Sequence, residues 1–552
     1  MDTKDKKMIM KALINKMTIG FLLLGSILSI YSCKKTEEPT EAPRIFKVGE
    51  PSLVPGENSA KISWLAPLIS LGRPYTYQLD FATDPQFANI IFTTTTQALE
   101  YVVTEANLKV RVKYYVRIKA LATADQPESK YVVSSQFSLT GTQLFGVVRE
   151  NDIKETTVKL WYTPTVGLSS IVLTPATGTP TTIALSTADA ASEFKLITGL
   201  TPGVKYDAEL FAGTSSKGFL TFTTLAPTTY TKRIFPTDDL NLIIQNSVNN
   251  DVIGLNPGTY TLSAATNSII TGRSITLKSI SGDPKDTKVN YKQFDLEGTG
   301  AGLTLSGIEL DGTLLASGYF INFIGSQAAN SSPATFTNVL VDNCIVHGSV
   351  TAFIRGDRGA AAGDFKITGI AVNNSIVYDM GANGTSTYYA FNITKMQFSS
   401  LTISKSTFYN FGPGLVLAST VVPGSAPTVS VTNSTLNGFG GSSKYALLDA
   451  NANPVNFTIQ NSIFSNTPRS GTIAAAAIRS TTGTSTILNS NYFNFYSTGT
   501  TPLTFGTAVL TNNQTITLPW TATTSDFTLP AGSALRTASS TGGPIGDPRW
   551  SY

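Results

Sequence analysis

The chain has 552 residues, 41% hydrophobic and only 14% charged, against roughly a quarter charged in an average soluble protein, which excludes a disordered chain. Small polar residues replace the charges, a mixture that suits turn-dense β structure better than long helices. The net charge is +4; residues 1–32 hold five lysines and two aspartates, and 4 − 3 = +1 leaves no basic face for nucleic acid.

The chain opens with a basic segment, Lys4, Lys6, Lys7, Lys11 and Lys16, followed by an apolar run from Ile19 to Ile30. That run is too short for a comfortable membrane span and has the length of a signal core. It ends in Ile30-Tyr31-Ser32-Cys33. A small residue just before cysteine resembles a bacterial lipobox, which implies a signal over 1–32, cleavage before Cys33 and lipidation of Cys33. An ordinary signal peptide followed by a chance cysteine is the competing reading. Lys34-Lys35-Thr36-Glu37-Glu38 resembles the surface-export tag of Bacteroidota lipoproteins. The resemblance implies an outer-membrane protein, held to the membrane by its lipid alone and facing the cell exterior. Residues 33–42 read as a tether rich in Pro, Glu and Thr.

Two β-sandwich modules are expected next, over 43–140 and 143–225. In the first, Ala60-Lys61-Ile62-Ser63-Trp64 is a strand with a buried-type Trp. Leu108 then stands six residues before Tyr114, ahead of an alternating run ending at Ala120. The pattern recurs with Val158-Lys159-Leu160-Trp161 and Leu200-Thr201-Pro202-Gly203-Val204-Lys205-Tyr206. Both resemble fibronectin type III domains, in which the Tyr would make the tyrosine corner. Nothing chemical stands out in either module, so they read as spacers.

From 230 to 552 the dominant signal is internal periodicity. Segments beginning at Leu303, Val339, Ile370, Leu401, Val429, Phe457 and Ser485 share one pattern: apolar, any, apolar, any, Asn or equivalent, small, any, apolar. The third position reads Leu305, Val341, Val372, Ile403, Val431, Ile459 and Ile487, and the eighth runs from Leu310 to Tyr492. Each period carries a second apolar run, such as Tyr319–Phe323 or Tyr389–Ile393. Two or three short strands per period fit the coils of a β-solenoid, whose stacking aligns equivalent positions into interior ladders. The fifth-position residues Gly307, Asn343, Asn374, Lys405, Asn433, Asn461 and Asn489 are expected to form an amide ladder at a turn.

Gly254-Leu255-Asn256-Pro257-Gly258-Thr259-Tyr260 resembles the opening coils of pectate-lyase-like, right-handed parallel β-helices. The C-terminal Gly542-Gly543-Pro544-Ile545-Gly546-Asp547-Pro548-Arg549-Trp550 resembles the closing segment of Bacteroidota surface proteins that join fibronectin-like modules to such a helix. Many of those are encoded beside glycan-degrading enzymes. The resemblance implies an all-β chain that takes part in polysaccharide utilisation, with other proteins of a glycan uptake system as partners.

The site signals are sparse. Between Gly381 and Thr524 the only acidic residue is Asp449, too few carboxylates for a hydrolase of this fold. The richest charged stretch is Arg355-Gly356-Asp357-Arg358, with Lys395 one coil later. Arg355 and Lys395 are expected as neighbours on one face, holding a uronate carboxylate or, with Asp357, serving a lyase. Only a lyase brings in a cofactor, Ca²⁺. The ninth repeat position reads Asp311, His347, Tyr378 and Tyr409. It should face outward, and its rings are expected as a sugar-stacking platform. His347 is the only histidine, which excludes a multi-histidine metal centre in one chain. Two cysteines make no disulfide framework, and Cys344 reads as a small buried residue. The expected function is capture of an acidic polysaccharide by a surface lipoprotein, with Arg355, Arg358 and the ninth-position stripe as its contacts. A polysaccharide lyase and a structural adhesin are the alternatives.

Overall fold

The computed structural model describes residues 43–68, 73–382 and 386–551. The signal, Cys33 and the tether lie outside the described residues. Among the described residues no helix is long and apolar enough to cross a membrane. The chain divides into two compact units, one running to Leu144 and taking in Phe211–Gly218, the other formed by Phe145–Leu210 and Phe219 onward.

The first module sets a three-stranded sheet (Ser52–Pro55, Ser59–Ser63, Glu100–Thr104) against a four-stranded one (Ile90–Thr96, Tyr77–Ala82, Tyr115–Ala120, Val132–Val133). Alternation decides what is buried: Val116, Ile118 and Ala120 point in, while Tyr115, Arg117 and Lys119 do not. Trp64 meets Tyr77 edge-on at 5.4 Å between ring centroids. The corner expected at Tyr114 is present, with its hydroxyl accepting the Lys109 N–H at 3.0 Å. The second module repeats the device, with Tyr206 Oη accepting the Thr201 N–H at 2.9 Å. Its sheets are Thr157–Trp161 with Phe194–Thr198, and a four-stranded sheet in which Ser170–Pro175 lies between Thr181–Ala184 and Lys205–Ala212. The fibronectin type III-like character of both modules thus rests on the same tyrosine geometry.

From about residue 252 the chain winds into a parallel β-solenoid of about nine turns. Each full coil contributes a strand to a first, a second and a third sheet, as in Asn338–Asp342, Ile345–Ser349 and Ala352–Arg355. The repeat register is that of the sequence. Leu277, Leu305, Val341, Val372, Ile403, Val431, Ile459 and Ile487 occupy successive rungs of one interior ladder, and all are buried. The eighth position forms a second ladder from Leu310 to Tyr492. Burying each such side chain contributes about 1.5–3 kcal/mol. A single coil has no second layer against which to bury its apolar side, so stability accrues coil by coil.

The fifth-position residues make no amide ladder with one another. They sit at the sharp corner between the first and second sheets, with φ of 69° at Gly307 and 47° to 51° from Asn343 to Asn489. This left-handed backbone is one that asparagine and glycine adopt cheaply, so backbone conformation, not side-chain pairing, explains the asparagines. The ladder at this corner is made by the next residue. Ser375, Ser406, Ser434, Ser462 and Ser490 are fully buried. Each hydroxyl accepts the N–H of the equivalent residue one coil earlier, at 3.0 to 3.2 Å, and donates to a carbonyl two residues back in its own coil. Cys344 begins this spine: its thiol reaches the Asp342 carbonyl at 3.3 Å, and burial pushes it up to about 12. It is a packed residue with no thiolate to offer.

Residues 518–551 fold back as a strap over the outer face of the second sheet. Leu518, Trp520, Phe527, Leu529, Leu535 and Ile545 form an apolar cluster with Ile463 and Phe493. Gly546, with φ of 85°, lets the backbone approach the sheet: an added Cβ would stand 2.9 Å from Ile463 Cδ1. Asp547 follows, accepting from Thr407 Oγ1 at 2.7 Å and pairing with Arg549 at 2.7 Å. Burial raises its pKa, against the pull of Arg549. Trp550 Nε1 also donates to Thr407 Oγ1, at 2.7 Å.

Candidate functional site

The outer face of the third sheet carries a row in register that is polar at every rung but one, Leu417. Asp295, Asn322, Arg355, Asn392, Leu417, Asp449 and Arg479 occupy consecutive rungs. Each follows an apolar residue that points into the core, for example Phe294, Ile321, Ile354, Phe391, Leu448 and Ile478. The strand period of two therefore sets every member of the row on the opposite face.

Hydrogen bonds join the row in groups, with a break at Leu417. Asp295 accepts from Gln293 at 2.6 Å and from Asn267 and Asn322 at 2.8 Å. Asn322 in turn accepts from Arg358 Nε at 3.2 Å. Arg355 Nε donates to Asp357 at 2.8 Å, and Asn392 donates to the other carboxylate oxygen at 2.8 Å. The Arg355 guanidinium lies 5.0 Å from the Tyr319 ring centroid and 5.4 Å from that of Tyr388, within cation–π range. Tyr319 and Tyr388 meet edge-to-face at 5.7 Å. Burial works against the guanidinium's charge, but the Asp357 hydrogen bond and the neighbouring charges outweigh it and raise the Arg355 pKa. Further along, Arg479 grips Asp449 through two hydrogen bonds of 2.7 and 2.8 Å and lies 4.8 Å from the Tyr445 ring.

Arg355, Asp357 and Arg358 are thus brought to one face. Lys395 is not Arg355's neighbour on the sheet: the rung partner of Arg355 is Asn392. Lys395 falls three residues later, in a turn with φ of 66°, and its carbonyl accepts the Gly363 N–H. Sequence reasoning missed Tyr319, Asn322, Tyr388, Asn392 and Asp295. For Asp295, Asn322 and Asn392 the signal was present, because from Asp295 onward an apolar residue followed by a polar one recurs at one phase of the second run in every coil but that of Val416-Leu417; Tyr319 and Tyr388 lie outside that phase.

The ninth-position stripe is in register as expected, with Asp311, His347, Tyr378 and Tyr409 on adjacent rungs. Its rings do not make a platform. His347 stacks on Tyr378 at 4.6 Å and Tyr378 on Tyr409 at 4.8 Å, each pair 8° from parallel. Both faces of Tyr378 are consumed by neighbours, and Tyr409 meets Phe527 of the strap at 5.5 Å. Only ring edges remain, whereas sugar stacking needs a free face. Burial raises both phenols, Tyr378 to about 12. His347, expected as a surface side chain, is only 9% exposed.

At the open end of this column the His347 ring nitrogens lie 3.4 Å from Glu309 and 3.5 Å from Asp311. Glu309, Asp311 and His347 are close enough to share a metal ion. The Lys288 ammonium already bonds both carboxylates, at 3.1 and 2.7 Å, and supplies the cation there. Burial disfavours the Asp311 carboxylate, but hydrogen bonds from Lys288 and Thr313 prevail and hold its pKa at about 2.

No protein-family model matches the chain, and no curated protein matches it. Among solved structures, it is similar to a two-domain fibronectin type III segment of chicken tenascin, at 16% identity and a TM-score of 0.17, covering 32% of this chain and 99% of that one. It is also similar to the central fibronectin-III array of RIM-binding protein, at 13% identity and a TM-score of 0.13, covering 34% of this chain and 63% of that one.

Proposed function

We propose that the chain is a lipid-anchored surface protein that captures an acidic polysaccharide along the outer face of its third sheet. The observation that carries this reading is Arg355, flanked by Tyr319 and Tyr388 and joined through Asp357 to Asn392 on the next rung. Asp295, Asn322, Asn392 and Asp449 are themselves buried, so a polymer meets this face through its partly exposed groups, Arg355, Arg358, Tyr319 and Tyr388. Guanidinium groups recognise carboxylates with directional hydrogen bonds, and planar groups beside them pack on apolar sugar faces.

Binding is preferred to lyase catalysis on chemical grounds. A general base must shed its proton near neutral pH, whereas Arg355 is held charged by Asp357, and Lys395 sits off the rung. The test is affinity-gel retardation with pectin, alginate, glycosaminoglycans and neutral glycans, with absorbance of unsaturated uronates followed with and without calcium. Retardation by an acidic polymer that is lost in Arg355→Ala and Tyr388→Ala, without new absorbance, is the expected outcome. New absorbance that disappears in Arg355→Ala would make the protein a lyase. Anchoring through Cys33 predicts palmitate labelling and membrane fractionation that Cys33→Ser removes.

A further inference from the structure

A cavity of about 380 Å³ lies between the second sandwich module and the sharp corner of the solenoid, well apart in the fold from the third-sheet row. The module contributes Asn151 and Lys154, and the solenoid contributes Ser306, Asp342, Asn343 and Asn374. The ionic groups around its rim are closed off: Lys278 pairs with Glu155 at 2.9 Å and Lys405 with Glu150 at 2.6 Å. Two charges are left over. Lys154 Nζ donates to the Gly282 carbonyl at 2.6 Å, and no carboxylate pairs with it among the described residues. Asp342 accepts from Asn373 at 2.8 Å, and no cation pairs with it among the described residues. Burial lowers the Lys154 pKa and raises that of Asp342, as it does for charges short of partners.

Each of these groups retains unused capacity. Lys154 has two further N–H donors and Asp342 a second oxygen. Asn343 spends its amide N–H on Gly282 at 2.8 Å and keeps its side-chain carbonyl. Asn151, Asn374 and Ser306 make no side-chain hydrogen bond among the described residues. Enclosed polar groups with unmet donors and acceptors favour an occupant that supplies both.

We propose that this cavity binds an uncharged sugar unit. A hydroxyl donates and accepts at once, which matches walls that mix amides, an ammonium and a carboxylate. The two unpaired charges cancel, so the cavity offers no net attraction to an anion or a cation, and a charged ligand would face one of them unfavourably. The volume lies at the lower end of small-ligand sites, roughly 300–1,000 Å³. The site is independent of the third-sheet row and does not require that row to bind glycan.

The test is saturation-transfer NMR on the full chain with glucose, galactose, mannose and xylose in turn, and with glycine as a zwitterionic control. At least one sugar should receive saturation from the wild-type protein and equally from Val509→Ser, an exposed position outside both sites. Lys154→Met and Asp342→Asn should each weaken it by roughly tenfold, the loss of one hydrogen bond to a charged group. Ser306→Leu fills the cavity without touching a charge and should abolish the signal, which keeps the test decisive if either charge variant unfolds. The proposal fails if no sugar receives saturation, if the signal survives Ser306→Leu, or if glycine alone binds.

Discussion

At the scale of single residues, the sharp corner shows how a correct sequence signal can carry the wrong mechanism. The recurring asparagines were legible, but a fifth-position Asn looks the same whether it pairs with its neighbours or simply tolerates positive φ. Lys405 and Gly307 at the same position decide the matter, since neither can join an amide ladder and both share the left-handed backbone. Asn433→Ala should therefore cost about 1 kcal/mol while Asn433→Gly is nearly neutral, as read from thermal unfolding of the two variants. Asp311 gives a pH signature. Its folded pKa of about 2 lies below the unfolded value of about 3.9. Its stabilisation is thus complete above about pH 4 and is lost as pH falls towards 2. The stability gap between wild type and Asp311→Asn should narrow over that window in acid titrations followed by circular dichroism, and stay constant above it.

At the scale of strands and turns, the interior ladders were the most legible feature, because period-two burial and the stacking of coils leave no freedom in the register. The serine spine was visible only as a preference for small residues. Its chemistry appears once stacking sets each hydroxyl against the N–H of the coil before. Ser434→Ala should strip the partner from the buried Ser406 N–H and cost about 1–3 kcal/mol, measured as a lowered midpoint in chemical denaturation. Cys344→Ser should keep or raise the melting temperature, because a hydroxyl can repeat the hydrogen bond that the other five serines make to a carbonyl two residues back. The third-sheet row was half legible. Arg355, Asp357 and Arg358 stood out as charges, whereas Asn322, Asn392 and the two tyrosines fall into place only when the second apolar run of every coil is aligned. Lys395 failed for the same reason, since a three-residue offset along a strand and turn removes it from the rung.

At the scale of the whole molecule, the C-terminal segment was recognisable as a closing element, but its destination was not. Nothing in Gly542–Trp550 announces that it lies across the second sheet instead of over the end of the coil stack. Its apolar side chains cover Ile463 and Phe493, so a chain ending at residue 516 should expose that patch. The truncated protein should bind a hydrophobic dye and self-associate, which dye fluorescence and light scattering would read; unchanged monomeric behaviour would assign the strap a lesser role. The same strap ends the aromatic column by placing Phe527 against Tyr409. The column's first ring belongs to the only histidine in the chain, lying flat on a phenol 4.6 Å away. Its ring protons therefore sit in the shielding cone of Tyr378 and should resonate upfield of an ordinary imidazole, as a single pair once histidine is selectively labelled with carbon-13. The protein thus carries a single-site magnetic reporter, two rungs from the strap, through which the seating of that segment can be followed by labelling its one histidine.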